Sequence, residues 1–561
     1  MNESMPWSTL AKYGLGGISL LWCLKHIRQR IELSLAKHRS LTGHPRMARR
    51  VAAQLRRYAY TANQALSVDG APDDIVALRR AALERMVAEF RTRFAKSAAQ
   101  TREAAEGLSD LQFVSAYRVP FQFAAMVDQG LKIASFVQSS SGVTVTDLDG
   151  NTFYDLTGSY GVNLFGNDYY KQSIDQGAEL VRDLGPVLGA YHPVVADNVR
   201  RLQTISGMDE VTFHMSGTEA VMQAVRLARY HTRRNKIVRF CGGYHGWWGE
   251  VQPGIGNPIA ASDTFTLAEM GAGTLRVLRR RHDIACILIN PLQGLHPNGA
   301  APSDSSLLDS SRKAGFDRVA YTAWLQELRR ICDERGIALI FDEVFVGFRL
   351  APGGAQAYFG VRADLVIYGK TLGGGLPVGV VCGKRQWMRR FRDDAPADIC
   401  FARGTFNSHP YVMGAMNAFL HFLDSEQAAA MYQNLDAIWD ARAAYMNQRL
   451  AQAGVPVQVA NMSSIWTVHY TQSACYNWLF QYYLRLQGLA LSWVGTGRII
   501  FSLNYSQADF EEVTERFVVA ALAMQQDGWW YDSGHSNRDI KRRILHELIH
   551  ARLFVSAATQ I

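Results

Sequence analysis

Two charged residues, each closing a short apolar run, constrain this chain more than any other feature. Ile337-Ala-Leu-Ile-Phe ends on Asp342, and Val366-Ile-Tyr-Gly ends on Lys370, 28 positions later. Runs of this length and composition read as strands buried on both faces. Two such strands in one parallel sheet deliver their charges to the carboxyl edge, where open α/β sheets bind ligands. The triplet Gly369-Lys370-Thr371 also invites a phosphate-loop reading, which requires a glycine five positions before Gly369. Asp364 stands there, so that reading fails.

The rest of the middle of the chain supports such a sheet. Residues 196–415 alternate short apolar runs with helical stretches, the pattern of parallel strands joined by crossover helices. The expected strands include Glu210–His214, Lys236–Phe240, Ile284–Ile289 and Ile337–Phe341. Val143–Leu156 reads as a hairpin turning at Asp149-Gly150-Asn151. The fold class expected is α/β, a large mostly parallel sheet domain with a smaller α+β domain and an extra helical region. The expected divisions are a helical N-terminal extension at 1–105 and the first part of the small domain with its linker at 106–195. The large domain follows at 196–415, the C-terminal small domain at 416–530 and a helical tail at 531–561.

Composition narrows the classes. Hydrophobic residues make up 48% and charged residues 19%, values of a globular protein. No apolar run reaches the ~18 residues of a membrane span, and Gly14–Leu24 lacks a signal-peptide cleavage pattern. Seven scattered cysteines fit reduced thiols in a cytoplasmic protein. Charge is uneven: residues 1–100 carry 17 Lys and Arg against 7 Asp and Glu, while the remainder is nearly balanced. His546-Glu-Leu-Ile-His550 matches a zinc-protease helix motif, but no third ligand is evident and a solvated helix face is expected, with no metal.

Several motifs converge on one chemistry. Met215-Ser216-Gly217-Thr218 follows a strand and opens a helix whose free N–H groups form a phosphate cup. Tyr244 and His245 follow Phe240-Cys-Gly-Gly, so an aromatic can lie against a planar ring, and Gly404-Thr405 offers a second phosphate contact. A lysine and an aspartate at a sheet edge suit pyridoxal 5'-phosphate: the amine condenses with its aldehyde as a Schiff base, and the carboxylate keeps its ring nitrogen protonated.

In that order, these motifs resemble the fold-type I, class III pyridoxal-phosphate aminotransferases, in particular their glutamate-1-semialdehyde aminomutase branch. Within it the chain looks most like aminotransferase domains embedded in hybrid polyketide/nonribosomal peptide synthetases. Tyr154–Asn167, Val346–Gly360 and Ala363–Lys384 carry the likeness, which spans roughly residues 95–525. The resemblance implies that Lys370 is the imine lysine and Asp342 the ring-nitrogen partner. It implies that Ser216, Gly217 and Thr218 hold the phosphate, with Tyr244 and His245 at the ring. Thr405 would reach the cofactor of a neighbouring subunit in a homodimer, and Ser159, Tyr160 and Arg403 would lie near substrate. The family has Glu-Pro where this chain has Asn290-Pro291.

The expected activity is transfer of an amino group from a small-molecule donor to a ketone or aldehyde, a biosynthetic intermediate of specialised metabolism. An intramolecular aminomutase is the alternative, and an inactive-fold adaptor with a basic nucleic-acid or membrane module the non-enzyme alternative. Nucleic acid is not expected as a partner. The basic N-terminal region suits an acidic acyl carrier protein, or serves only as a helical cap. Arg118, Arg349 and Arg403 are candidates for a substrate carboxylate, with ordinary ion pairing expected for all three. Residues 247–272, rich in Gly and Pro, are a candidate lid.

Overall fold

A computed structural model describes residues 7–252, 254–259, 261–299, 308–491 and 497–554. Strands β1 (Val137–Ser141), β2 (Thr144–Asp147) and β3 (Thr152–Asp155) form an antiparallel meander, with the β2–β3 turn at the expected Asp149-Gly150-Asn151. Asp147 fixes that turn by accepting from the backbone N–H of Asp149 and Asn151 at 3.0 and 2.9 Å.

The central sheet has seven strands: β4 (Glu210–His214), β5 (Lys236–Phe240), β6 (Thr264–Leu267), β7 (Ile284–Ile289), β8 (Ala338–Asp342), β9 (Leu365–Gly369) and β10 (Gly379–Gly383). They lie in the order β4-β10-β9-β8-β7-β5-β6. Six run in one direction and β10 opposes them, pairing antiparallel with both β4 and β9. Its reversal has a local cause. The link from Lys370 to Val378 tightens into a 3₁₀ turn and holds no crossover helix, so the chain doubles back. Every residue of β7, β8, β9 and β10 is buried, which explains why these strands read as unbroken apolar runs.

A third sheet is built from β11 (Val457–Met462), β12 (Ile465–Tyr470) and β14 (Arg498–Ile500), while β13 (Leu489–Ala490) pairs parallel with β3. Two cores follow from this layout. One surrounds the seven-stranded sheet. The other joins the helices over Ala62–Leu66 and Asp73–Arg93 to the hairpin and to residues 435–540. Arg79 ties that join: fully buried, it pairs with Asp69 at 2.6 Å and donates to Gly528 O at 2.9 Å. Among the described residues, the helix Trp7–Leu35 packs on the large core near its end, through Leu33 and the following Ala36. Among the described residues, no helix is long and apolar enough to cross a membrane.

The tail helix spans Asn537–Phe554. Its Glu547 accepts from the hydroxyls of Tyr58 and Tyr60 at 2.8 and 2.7 Å, so it serves packing, and His546 and His550 are exposed. No cluster of three His, Cys, Asp or Glu able to hold a metal occurs among the described residues.

Candidate active site

The carboxyl ends of β4, β5, β7, β8 and β9 open on one side of the sheet. β4 ends at His214, and Ser216 caps the helix Gly217–Thr232, its hydroxyl accepting from Glu219 N at 3.3 Å. The Glu219 carboxylate returns to Met215 N at 3.0 Å. The first N–H groups of that helix have no helical partner and carry its positive dipole end. Two close approaches shape this cup. A Cβ on Gly217 would stand 2.9 Å from a Val344 methyl, and one on Gly246, at φ +90°, would stand 2.4 Å from Thr218 Oγ1. Only glycine fits at either place.

After β5 the chain turns through Cys241-Gly-Gly to Tyr244, whose ring is 59% exposed and whose carbonyl accepts from Asn290 Nδ2 at 3.3 Å. Burial of its hydroxyl, and then the charge of Asp342, push the Tyr244 pKa up. His245 turns inward. Its Nδ1 lies 2.7 Å from Asp342 Oδ2, with both side chains buried. Burial holds the His245 pKa below its ordinary value against the pull of Asp342, so a neutral imidazole donates Nδ1–H to the carboxylate. Val344 N donates to Asp342 Oδ1 at 3.2 Å. The next residue, Glu343, is buried and accepts from Ala355 N and Gln356 N at 2.6 and 3.1 Å, anchoring the loop that leaves β8. Burial pushes its pKa up to about 8.

Lys370 follows β9 in a left-handed conformation, φ 51°, a strained backbone of the kind found at functional sites. Its Nζ lies 4.3 Å from the centre of the Phe345 ring. Burial lowers its pKa to about 7; Asp342 opposes this, while Arg498 and Arg349 add to it. Ser159 and Tyr160, also at positive φ, sit in the turn Gly158–Gly161. A Cβ on Gly161 would come 2.9 Å from Phe345 and 3.4 Å from Lys370 Cδ, which brings this turn against the lysine.

The structure thus gathers Gly217, Thr218, Val344 and Gly246 at the cup, joins His245 to Asp342, and brings Gly161, which follows Ser159 and Tyr160 in the turn, against Lys370. It does not bring Arg403 or Thr405 there within one chain. Both are exposed in a separate cleft of about 750 Å³ with Tyr191, Phe213 and Arg390. Among the described residues, the expected ion pairing of the arginines does not occur for Arg349. It is buried and donates to Ser464 Oγ, Phe501 O and Asn163 O at 3.0, 2.6 and 2.8 Å. Arg118 donates to Gln481 Oε1 at 2.9 Å and to Ile133 O at 3.3 Å. Of the candidate lid, Pro253 and Ala260 lie outside the described residues; the rest includes β6 and a buried Val251.

Sequence reasoning missed one cluster. Arg498 opens β14 with its guanidinium 5.7 Å from the same Phe345 ring that Lys370 faces. Arg498 Nη2 lies 3.3 Å from His296 Nε2. Burial and the nearby Arg312 lower the Arg498 pKa to about 10. Burial and both arginines drive the His296 pKa down to about 3. The arginine can only donate, so Nε2 of a neutral His296 accepts and Nδ1 carries the hydrogen. Arg498 Nε and His296 Nδ1 are buried without hydrogen-bond partners among the described residues, as is Gln293 Oε1. The signal was a cation at the head of an apolar strand, Arg498-Ile-Ile-Phe.

Comparisons with known proteins agree with this geometry. The family model for class-III aminotransferases matches residues 126–249 and 307–521, more than half of the chain. A glutamate-1-semialdehyde 2,1-aminomutase of Geotalea daltonii is 31% identical over 362 residues, covering 61% of this chain and 78% of that protein. One of Methanococcus maripaludis is 32% identical over 354 residues, covering 60% and 76%. A solved transaminase with PLP bound aligns at TM-score 0.62 and 26% identity, over 76% of this chain and 97% of its own. The fold alone is shared with a glutamate-1-semialdehyde aminomutase of Pseudomonas aeruginosa PAO1, at TM-score 0.63 and 18% identity over 79% and 98%. The chain belongs to the class-III, fold-type I aminotransferases, enzymes that use pyridoxal phosphate.

Proposed function

We propose that this enzyme transfers an amino group from a donor to an acyl-chain ketone or aldehyde, and that Lys370 and Asp342 carry the chemistry. The residues present fit pyridoxal phosphate. Glycines keep the cup at Gly217 and Gly246 open where any Cβ would fill it, and a buried carboxylate is held by His245 and Val344 N. Ser216, Gly217 and Thr218 would hold the phosphate, Tyr244 would cover the ring and Asp342 would meet its nitrogen. When bound, the cofactor supplies an electron sink that acidifies the carbon–hydrogen bond next to nitrogen. Lys370 Nζ, neutral above about pH 7, would serve as the base that takes that proton from the substrate carbon and as the acid that returns it. His245 donates to Asp342 Oδ2 and keeps the carboxylate aimed.

The observation that carries this reading is a lysine of lowered basicity at the end of one buried strand beside a histidine-held aspartate at the end of the next. Borohydride reduction of the holoenzyme followed by peptide mapping tests it. A reduced adduct on Lys370 is expected, and its absence overturns the assignment.

The unpaired donors of Arg498 and His296 support a substrate with an acidic group, held near the Phe345 ring that Lys370 also faces. The named relatives favour a second reading, an intramolecular aminomutase. A single amino-aldehyde supplied without donor separates the two, because only an aminomutase turns it over. We further assign Thr405 to the site of a second copy. Exposed Tyr191, Phe401 and Phe406, at 74%, 66% and 50%, support burial of that cleft by a partner subunit. A mass measurement in solution showing only monomers sinks this.

A further inference from the structure

The net charge of the protein is +9, and all of it resides at the start of the chain. Residues 1–57 hold eleven Lys and Arg against two acidic residues, so residues 58–561 hold 48 of each. One of the two acids, Glu32, is consumed by ion pairs with Arg28 and Arg280. The catalytic body is therefore electrically neutral and its N-terminal module strongly basic.

That module is built around the helix Trp7–Leu35, which spans 29 residues, about 43 Å at 1.5 Å per residue. Among the described residues, it meets the body near its C-terminal end. Leu33 and Ala36 pack there, Ala268 N donates to Ala36 O at 2.8 Å, and Gly273 lies against Ala36. The opposite face is apolar and uncovered. Leu21, Leu24, Ile27, Ile31 and Leu35 recur at three- and four-residue spacing and are 68%, 53%, 54%, 55% and 72% exposed. Trp22 is also 59% exposed, and Lys25, Arg28 and Arg30 interrupt and flank the stripe. A soluble surface does not leave such a stripe bare without a use. At the foot of this helix a second one, Pro45–Ala52, contains no buried residue and carries Arg46, Arg49 and Arg50. These three arginines, with Lys37, line a cleft of about 390 Å³. Arg39, Arg56 and Arg57 are exposed nearby in sequence.

We propose that this module docks the enzyme on an anionic lipid bilayer, the helix Trp7–Leu35 lying in the interface and the basic side chains meeting lipid headgroups. The stripe supplies apolar insertion and the cations supply attraction to a negative leaflet. Charge decides against a second copy of this chain as the occupant, because two such modules face to face would oppose like charges, whereas an anionic surface neutralises them. This inference does not depend on the amino-transfer reading.

The test is co-sedimentation of the full-length holoenzyme with two vesicle compositions, phosphatidylcholine alone and phosphatidylcholine with 30 mol% phosphatidylglycerol, at low and high salt. Binding at least ~10-fold stronger to the anionic vesicles, and weakened by salt, is expected. Ile27→Glu with Ile31→Glu, and separately Arg46→Gln with Arg50→Gln, should each lower binding ~10-fold or more, with turnover of a soluble donor unchanged. Wild-type protein that ignores both compositions overturns the proposal. Should it then be retained on an immobilised acidic acyl carrier protein, the surface serves a protein partner. If instead the Ile27→Glu, Ile31→Glu variant shows a reduced assembly mass, it serves a second copy. Equal binding to both compositions also overturns it, because the basic residues would then play no part.

Discussion

The two sides of Lys370 are built differently. On one side, Asp342 has its hydrogen bonds met from within the chain, by His245 at 2.7 Å and Val344 N at 3.2 Å. On the other, Arg498 and His296 touch each other and leave buried donors unmet. Buried polar groups left unpaired cost about 1–3 kcal/mol each, a cost that an acidic ligand bound beside Arg498 and His296 would offset. The first side is finished before anything binds and suits a resident cofactor. The second is complete only with a visiting anion and suits a substrate that comes and goes. Preorganisation marks the permanent partner, and incompleteness marks the transient one.

The sharpest way to break this contrast is to remove the group between the two sides. Lys370→Ala should lower turnover by about 10²–10⁴-fold through loss of proton transfer alone. Steady-state assays at saturating cofactor check this; a loss below tenfold would place the proton carrier elsewhere. Asp342→Asn should lower turnover by about 10²–10³-fold, since it removes a buried charge while keeping shape. The affinity for donor should change little, which a comparison of kcat with KM reads directly. Arg498→Met acts on the other side. It should reduce kcat/KM for acidic substrates by about 10–100-fold, the worth of a charge-assisted hydrogen bond of about 1.5–3 kcal/mol. Uncharged amines should be spared. The melting temperature should hold or rise, because a buried cation with no carboxylate is removed. An equal loss for charged and neutral substrates would reduce Arg498 to a packing role.

How much of this was readable beforehand follows the same contrast. Asp342, Lys370 and the Ser216-Gly217-Thr218 cup announce themselves because each closes or follows a contiguous apolar run, and strand ends are local facts. Arg498, His296 and Phe345 meet only through tertiary structure. Nothing in Arg498-Ile-Ile-Phe says that its cation faces the ring beside Lys370, 128 positions away. β10 escaped notice because Gly379 and Gly383 dilute its apolar pattern, and its antiparallel direction comes from the short turn before it. Helical structure at Asp73–Arg93 was expected as part of the N-terminal extension at 1–105. Its partner was not, because amphipathic periodicity says that a face is buried without saying against what.

The smallest effect joins the two sides through one titration. Capture of cofactor by the apoenzyme requires a neutral Lys370 amine. With its pKa lowered to about 7, the capture rate should rise about tenfold per pH unit below 7 and level off above it. A lysine with its ordinary pKa of 10.5 would still be gaining tenfold per unit at pH 8. Asp342 raises the Lys370 pKa and Arg498 lowers it, so the two variants should move the profile in opposite directions. Asp342→Asn removes the charge that favours the ammonium form, and its midpoint falls. Arg498→Met removes the charge that disfavours it, and its midpoint climbs. Stopped-flow absorbance of cofactor uptake across pH 5–9 measures both. Midpoints that shift together, or not at all, would mean that the finished and unfinished sides do not act on one amine.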